Sequence, residues 1–216
     1  MSRGMKLTDI LTESVAVIYD FDGPICGVFA GLPAKTVARQ LELTTGVHTE
    51  TDDPLEVLRS AYISGSTAVE TVERQLISAE LLAVETASVT DGGLGSMHTL
   101  AARGKTIGIL SNNSLEAVSK FMEKMAADQR LGPVVGRPFA RPDLMKPNPY
   151  GLDRTLKALG VQGEKVVFIG DSTSDIEVAQ SRGVHSVGFA NKPGKREALQ
   201  EAGAEFVIES MTELAG

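Results

Sequence analysis

Short apolar runs alternate with helical spacing through the second half of the chain, and this alternation is the feature that most restricts the fold. From about Asp91, helical spacing over 94–102 ends at Gly104 and gives way to a strand-like run over 105–110. A helix over 115–127, a short strand near 133–135 and a helix over 149–159 ending at Gly160 follow. Then come a strand over 165–169, a helix over 174–181, a strand over 184–187, a helix over 196–202 and a strand over 206–208. Glycine just past a helical pattern is a C-terminal signal, because it adopts the left-handed conformation freely. Strands separated by helices pair in parallel, with the helices covering both faces of the sheet. One more strand lies upstream, in Val15-Ala16-Val17-Ile18-Tyr19, whose β-branched apolar character suits a strand buried on both faces. The fold class is therefore α/β with a parallel sheet.

Between these parts the pattern changes. From about Ile25 to Val89 only helical spacing appears: one helix over 33–43, a second opened by Asp53-Pro54-Leu55-Glu56, and a third over 66–86. Asp53 is an N-cap acid and Pro54 occupies the first helical position. A chain of 216 residues holds one sizeable core plus a small insertion. The expected organisation is a core from 1–24 and 90–216, interrupted by a helical cap over 25–89. Pro33 and Asp91-Gly92-Gly93 are expected at the turns where cap meets core.

The formal net charge of −7, with lysine and arginine scattered, excludes a basic stripe for nucleic acid. No run reaches the ~20 apolar residues of a membrane span. The single cysteine, Cys26, has no internal disulfide partner and reads as a small apolar packing residue. A cytoplasmic protein, monomer or homodimer, acting on a small molecule is the expectation.

At the end of the first strand stands Asp20-Phe21-Asp22-Gly23, two carboxylates at i and i+2 leaving toward one face. Ser111-Asn112-Asn113 follows the 105–110 strand, and Gly170-Asp171-Ser172-Thr173-Ser174-Asp175 follows the 165–169 strand. In a parallel sheet all C-terminal strand ends share one edge, so Asp20, Asp22, Ser111, Asp171 and Asp175 converge there. Lys146, directed by Pro147, lies in a loop before a helix. Four aspartates against one lysine leave about three negative charges, which a cleft tolerates only by protonation or by binding a divalent cation. Hard oxygen donors select Mg2+ over zinc. With a lysine, a hydroxyl and backbone N–H groups, the set forms a phosphate receptor, and phosphoryl transfer is its natural chemistry.

These four segments, in this order, resemble the motifs of the haloacid dehalogenase-like superfamily, in the branch of phosphoglycolate phosphatases and β-phosphoglucomutase-like proteins with a small helical cap. The likeness covers nearly the whole chain, including Ala190-Asn191-Lys192-Pro193-Gly194. It implies a Rossmann-like core and a Mg2+-dependent phosphatase working through an aspartyl phosphate. In that resemblance Asp20 is the nucleophile, Asp22 the general acid and base, and Ser111 and Lys146 hold phosphoryl oxygens. Backbone N–H groups of Phe21, Asp22 and Asn112 assist, and Asp20, the Asp22 carbonyl, Asp171 and Asp175 serve the metal. Asp22 favours phosphate esters over carbon–halogen substrates, whose leaving group needs no proton. A sugar phosphomutase and a non-catalytic phosphoanion- or partner-binding protein of this fold are the alternatives; the latter is expected to lack Asp20 or Asp22.

Pro24 and Gly27 depart from the family's habit, which touches the cap hinge and specificity. Asn113, three residues before Glu116, is expected to cap the following helix. Lys35, Arg39, His48 and Arg59 are the cap side chains considered for substrate selection, whereas His98 and His185 are expected to be structural.

Overall fold

The computed structural model describes residues 6–126 and 131–215. Helix α1 (Leu7–Glu13) leads into β1 (Ala16–Tyr19); β2 (Cys26–Gly27), α2 (Ala34–Thr45), α3 (Pro54–Ile63), α4 (Val69–Ala83) and β3 (Ser88–Val89) follow. Next are α5 (Gly93–Ala102), β4 (Thr106–Leu110), α6 (Leu115–Lys124), β5 (Leu131–Val135) and α7 (Tyr150–Leu159). The chain finishes with β6 (Val166–Gly170), α8 (Thr173–Gln180), β7 (His185–Phe189), α9 (Lys195–Glu201) and β8 (Phe206–Ile208). Six strands form a parallel sheet in the order β5-β4-β1-β6-β7-β8. The parallel α/β reading holds.

All four residues of β1 are buried, because the sheet is covered on both sides. Val17, Tyr19, Ile107 and Val167 pack on one face with Leu100 of α5 and Phe121 of α6. Ala16, Ile18 and Phe168 pack on the other with Leu152 of α7 and Val178 of α8. Alternate strand residues thus serve opposite cores, as a period of two requires. Helices α2, α3 and α4 enclose a separate apolar cluster that includes Val37, Leu41, Leu58, Val72 and Leu76. No described helix is long and apolar enough to cross a membrane.

Helix α3 begins as its residues suggest: the Asp53 carboxylate accepts the Leu55 N–H at 2.9 Å, with Pro54 in the first turn. At α6 the expected cap is corrected. Ser114, in extended conformation, caps the helix by accepting the Ala117 N–H at 3.4 Å. The Asn113 side chain is engaged by Ser111 and Glu80 instead. Ala127, the expected end of this helix, lies outside the described residues.

Strands β2 and β3 and helix α1 have no counterpart in the sequence pattern. Two residues are too few to show alternation, yet Cys26 pairs with Val89 and Gly27 with Ser88 in an antiparallel ribbon. Thr90 donates its hydroxyl to Gly23 O at 2.6 Å and its N–H to Ile25 O at 3.0 Å. Both crossings between the sheet and helices α2–α4 therefore run side by side.

Candidate active site

Strand register sets the site. Tyr19 lies level with Ile109 on one side and Ile169 on the other, so the residues that follow β1, β4 and β6 emerge together. Because β4 and β6 flank β1, the chain leaves β1's edge in opposite directions, and a crevice opens at that switch point. A cleft of about 370 Å³ occupies it, lined on the sheet side by Asp20, Asp22, Ser111, Asn112, Lys146 and Asp171. Phe29, Asp52, Asp53, Leu55 and Arg59 line it from the side of α2 and α3.

Lys146 is the centre of charge. Its Nζ meets Asp175 Oδ1 at 2.6 Å and Asp20 Oδ1 at 2.8 Å, and donates to Leu110 O at 3.3 Å. Burial opposes the ammonium charge, but Asp175 and Asp20 outweigh it and hold the lysine above its ordinary pKa. Asn112 brackets the lysine backbone: its Oδ1 accepts the Lys146 N–H at 2.9 Å and its Nδ2 donates to Lys146 O at 3.3 Å.

Asp20 Oδ1 also accepts the Phe21 N–H at 2.7 Å. The Phe21 N–H, expected to face a phosphate, thus restrains the Asp20 carboxylate here. Among the described residues no hydrogen-bond donor meets Asp20 Oδ2. Burial lifts the Asp20 carboxyl above the usual range; Lys146 opposes this, and Asp175 and Asp171 add to it. Asp22 turns away from the acid cluster, with its Oδ1 accepting the Val28 N–H at 2.9 Å. Burial raises it to about 6 against that hydrogen bond. A carboxyl in this range exchanges its proton near neutrality.

Two glycines let the acids approach. Gly23 has φ +111°, and a Cβ there would fall 2.4 Å from Asp171 Cγ. At Gly170 a Cβ would fall 2.4 Å from Asp175 Cγ. Both oxygens of Asp175 are engaged: Oδ1 by Lys146, and Oδ2 by the Ser172 N–H at 3.0 Å and Ser172 Oγ at 2.7 Å. Asp175 thereby fixes the turn into α8 and holds the lysine.

Carboxylate oxygens of Asp20, Asp171 and Asp175 lie within 4.8 Å of one another, so the donors fit a hard divalent cation. The Asp22 carboxylate is outside this group, and its main-chain carbonyl remains the atom to be considered. Asp171 has partners outside the four motifs: Asn191 Nδ2 donates to its Oδ2 at 3.0 Å, and Lys195 forms an ion pair with the same oxygen. Asn191 Oδ1 is buried with no hydrogen-bond partner among the described residues. Asn191 lies in the Ala190-Asn191-Lys192-Pro193-Gly194 segment that the resemblance covers, and Lys195 is marked only by its position after β7, at the same sheet edge.

Ser111 is buried, and its Oγ donates to Asn113 Oδ1 at 3.2 Å and accepts the Asn113 N–H at 3.1 Å. Of the four cap side chains considered, only Arg59 lines the cleft, paired with Glu56. Lys35 pairs with Asp52 in solvent at 3.1 Å, Arg39 lies exposed near Glu42, and His48 is exposed. His185 meets Glu205 at 2.8 Å at the start of β7, two strands from β1 and at the sheet edge opposite the site. Cys26 is fully buried, and burial pushes its thiol pKa well up.

A lysine-held aspartate beside further aspartates, at the switch point of a parallel sheet, defines an α/β enzyme of the acid-cluster kind. The chain belongs to the haloacid dehalogenase-like hydrolase family, whose model matches residues 17–189. It is similar to the phosphoglycolate phosphatase of Rhodospirillum rubrum, 32% identical over 112 residues, covering 50% of this chain and 45% of the relative. The enzyme of the same name from Escherichia coli strain K12 is 24% identical over 119 residues, covering 55% and 46%. The matches thus span less than half the length of these curated relatives. Among solved structures, CbbY from Rhodobacter sphaeroides in complex with phosphate superposes with a TM-score of 0.74 at 17% identity, over 94% of this chain and 97% of that one. A haloacid dehalogenase-like family hydrolase from Streptococcus pneumoniae gives 0.72 at 12% identity, over 94% and 97%. At these identities the structural likeness speaks for the fold.

Proposed function

We propose that this protein is a Mg2+-dependent phosphatase that hydrolyses a small phosphorylated metabolite through an aspartyl-phosphate intermediate on Asp20. The observation that carries the reading is the division of labour between the two strand-tip acids. Asp20 is clamped through Oδ1 by Lys146 and the Phe21 N–H, with no donor on Oδ2 among the described residues, while Asp22 stands apart on the Val28 N–H.

Asp20 Oδ2 is the atom to attack phosphorus, since restraint of Oδ1 sets the carboxylate's direction. Asp22, which burial raises to about 6, gives a proton to the leaving alcohol and then takes one from the water that opens the acyl phosphate. Lys146 faces the incoming anion and, with the Ser111 hydroxyl and the Asn112 N–H, balances charge that develops on the phosphoryl oxygens. Mg2+ would be held by Asp20 and Asp171 with the Asp22 carbonyl, Asp175 supporting, and would supply the positive charge that lets a dianion approach a carboxylate. Residues 25–89 act as a cap over the cleft, and Arg59 is the cation it offers to the part of the substrate beyond the phosphate.

Phosphate release from a panel of phosphomonoesters, phosphoglycolate and sugar phosphates first, tests this with and without Mg2+. We expect Mg2+-dependent release that Asp20→Asn abolishes without loss of fold. No release from any ester by the metal-loaded protein refutes the phosphatase reading. Isomerised sugar phosphate without free phosphate selects a mutase.

A further inference from the structure

Behind the Ser111–Ser114 loop lies an ion cluster that the chemistry above does not use. Arg137, which follows β5, is buried with Glu73 and Glu80 of α4. Glu73 forks onto the guanidinium, with Oε1 accepting Nε at 2.9 Å and Nη2 at 2.8 Å. That pair alone neutralises the arginine. Glu80 is a second buried carboxylate, and burying a charge beyond the count needed for neutrality carries a desolvation penalty.

The other contacts of Glu80 show what offsets it. Besides Arg137 Nη1 at 2.9 Å, its Oε1 accepts Asn113 Nδ2 at 3.1 Å. Its Oε2 accepts the Ser114 N–H at 3.0 Å, at the N-terminus of α6, where the helix favours an anion. Arg137 adds two bonds to the same loop, from Nη1 to Asn112 O at 2.7 Å and from its own N–H to Asn113 O at 2.8 Å. With Nδ2 held by Glu80, the Asn113 amide has one orientation, and its Oδ1 is the atom presented to Ser111 Oγ.

We propose that Glu80, held by Arg137 and counterbalanced by Glu73, is a positioning residue that sets the Asn113 amide and, through the bonds of Asn113 Oδ1 and N–H to Ser111 Oγ, the place from which the hydroxyl turns its proton from Asn113 to the phosphoryl group. The proposal rests on the phosphatase reading only for the role of Ser111. It gives α4 a task in the site although none of its side chains lines the cleft.

The test compares Glu80→Gln with Glu73→Gln. Glutamine has a single oxygen, so whichever way the substituted amide lay, either Asn113 Nδ2 or the Ser114 N–H would face an NH2 group. In Glu73→Gln the same loss falls on Arg137 alone. Both variants are expected to melt below wild type. Only Glu80→Gln is expected to lower kcat, about tenfold or more, as a displaced catalytic group does. It is also expected to bind inorganic phosphate about fivefold more weakly by calorimetry, the scale of one misdirected hydrogen bond. Equal changes in kcat and phosphate affinity in the two variants overturn the proposal, as does a lower melting point with both quantities unchanged in Glu80→Gln. The phosphate titration needs no turnover. A wild type that released no phosphate from any ester would refute the phosphatase reading, and the positioning proposal would still be decided by that titration.

Discussion

Gly23→Ala is the sharpest single perturbation of the site, because two separable costs follow from one methyl group. The backbone at Gly23 sits at φ +111°, where an L side chain is strained by about 1–3 kcal/mol. The new Cβ would also lie 2.4 Å from Asp171 Cγ, where 3.4 Å is ordinary contact, so loop and carboxylate must separate by about 1 Å, an overpacking cost of about 1–3 kcal/mol. The sum is about 4 kcal/mol, or roughly 10 °C in melting temperature for a chain of this length. The second cost needs the Asp171 carboxylate, and the first does not. In an Asp171→Ala background, Gly23→Ala is therefore expected to cost only about 2 kcal/mol, leaving a coupling of about 2 kcal/mol in a double-mutant cycle measured by urea unfolding. A carboxylate moved by about 1 Å also predicts a loss near 100-fold in kcat for Gly23→Ala alone. Costs that add within about 0.5 kcal/mol would refute the steric argument. Activity within about threefold of wild type would refute the claim that the site needs Asp171 where it stands.

Lys146→Met leaves Asp20 and Asp175 facing each other without their shared cation, and should destabilise the fold by about 3–5 kcal/mol in urea unfolding; a change under about 1 kcal/mol would show that the cluster does not depend on the lysine. Arg59→Ala should raise KM about tenfold, near 1.4 kcal/mol, for esters carrying a second anionic group, and leave 4-nitrophenyl phosphate unchanged. An equal effect on both substrates would remove Arg59 from specificity. Cys26, buried and with its thiol pKa raised by burial, should resist a thiol reagent at pH 8 in the native state and react once urea unfolds the chain. Rapid native labelling would contradict that packing.

The sheet was legible in the sequence because buried parallel strands are short β-branched runs and the helices between them end at glycines such as Gly104 and Gly160. The convergence of Asp20, Ser111 and Asp171 then follows from topology alone, since residues after parallel strands share an edge. Local signals failed where one side chain had two suitors. Asn113 has the composition of a cap, but its amide is claimed by Ser111 Oγ and Glu80, and Ser114 caps the helix. Asn191 and Lys195 reach Asp171 from a different strand end, and nothing in their own neighbourhood announces the contact. Glu73, Glu80 and Arg137 are further from reach: each reads as an ordinary surface charge, and only tertiary packing buries all three together. The ribbon of β2 and β3 was invisible because two-residue strands have no period.

That ribbon bears on how such a protein can change. Entry to and exit from the α2–α4 segment are hydrogen-bonded neighbours, Cys26 to Val89 and Gly27 to Ser88, so the segment behaves as a cassette closed by one clasp. A foreign segment of any length whose ends meet would leave the register of the six-stranded sheet undisturbed. Exchange is nonetheless not free, because Arg137 belongs to the sheet side of the molecule while both of its carboxylates travel with the cassette. A transplanted segment that lacks a carboxylate at the place of Glu73 would fit the clasp and leave the guanidinium in the interior without its forked partner. Exchange of this segment on the scaffold is thus restricted by one buried charge rather than by the joint.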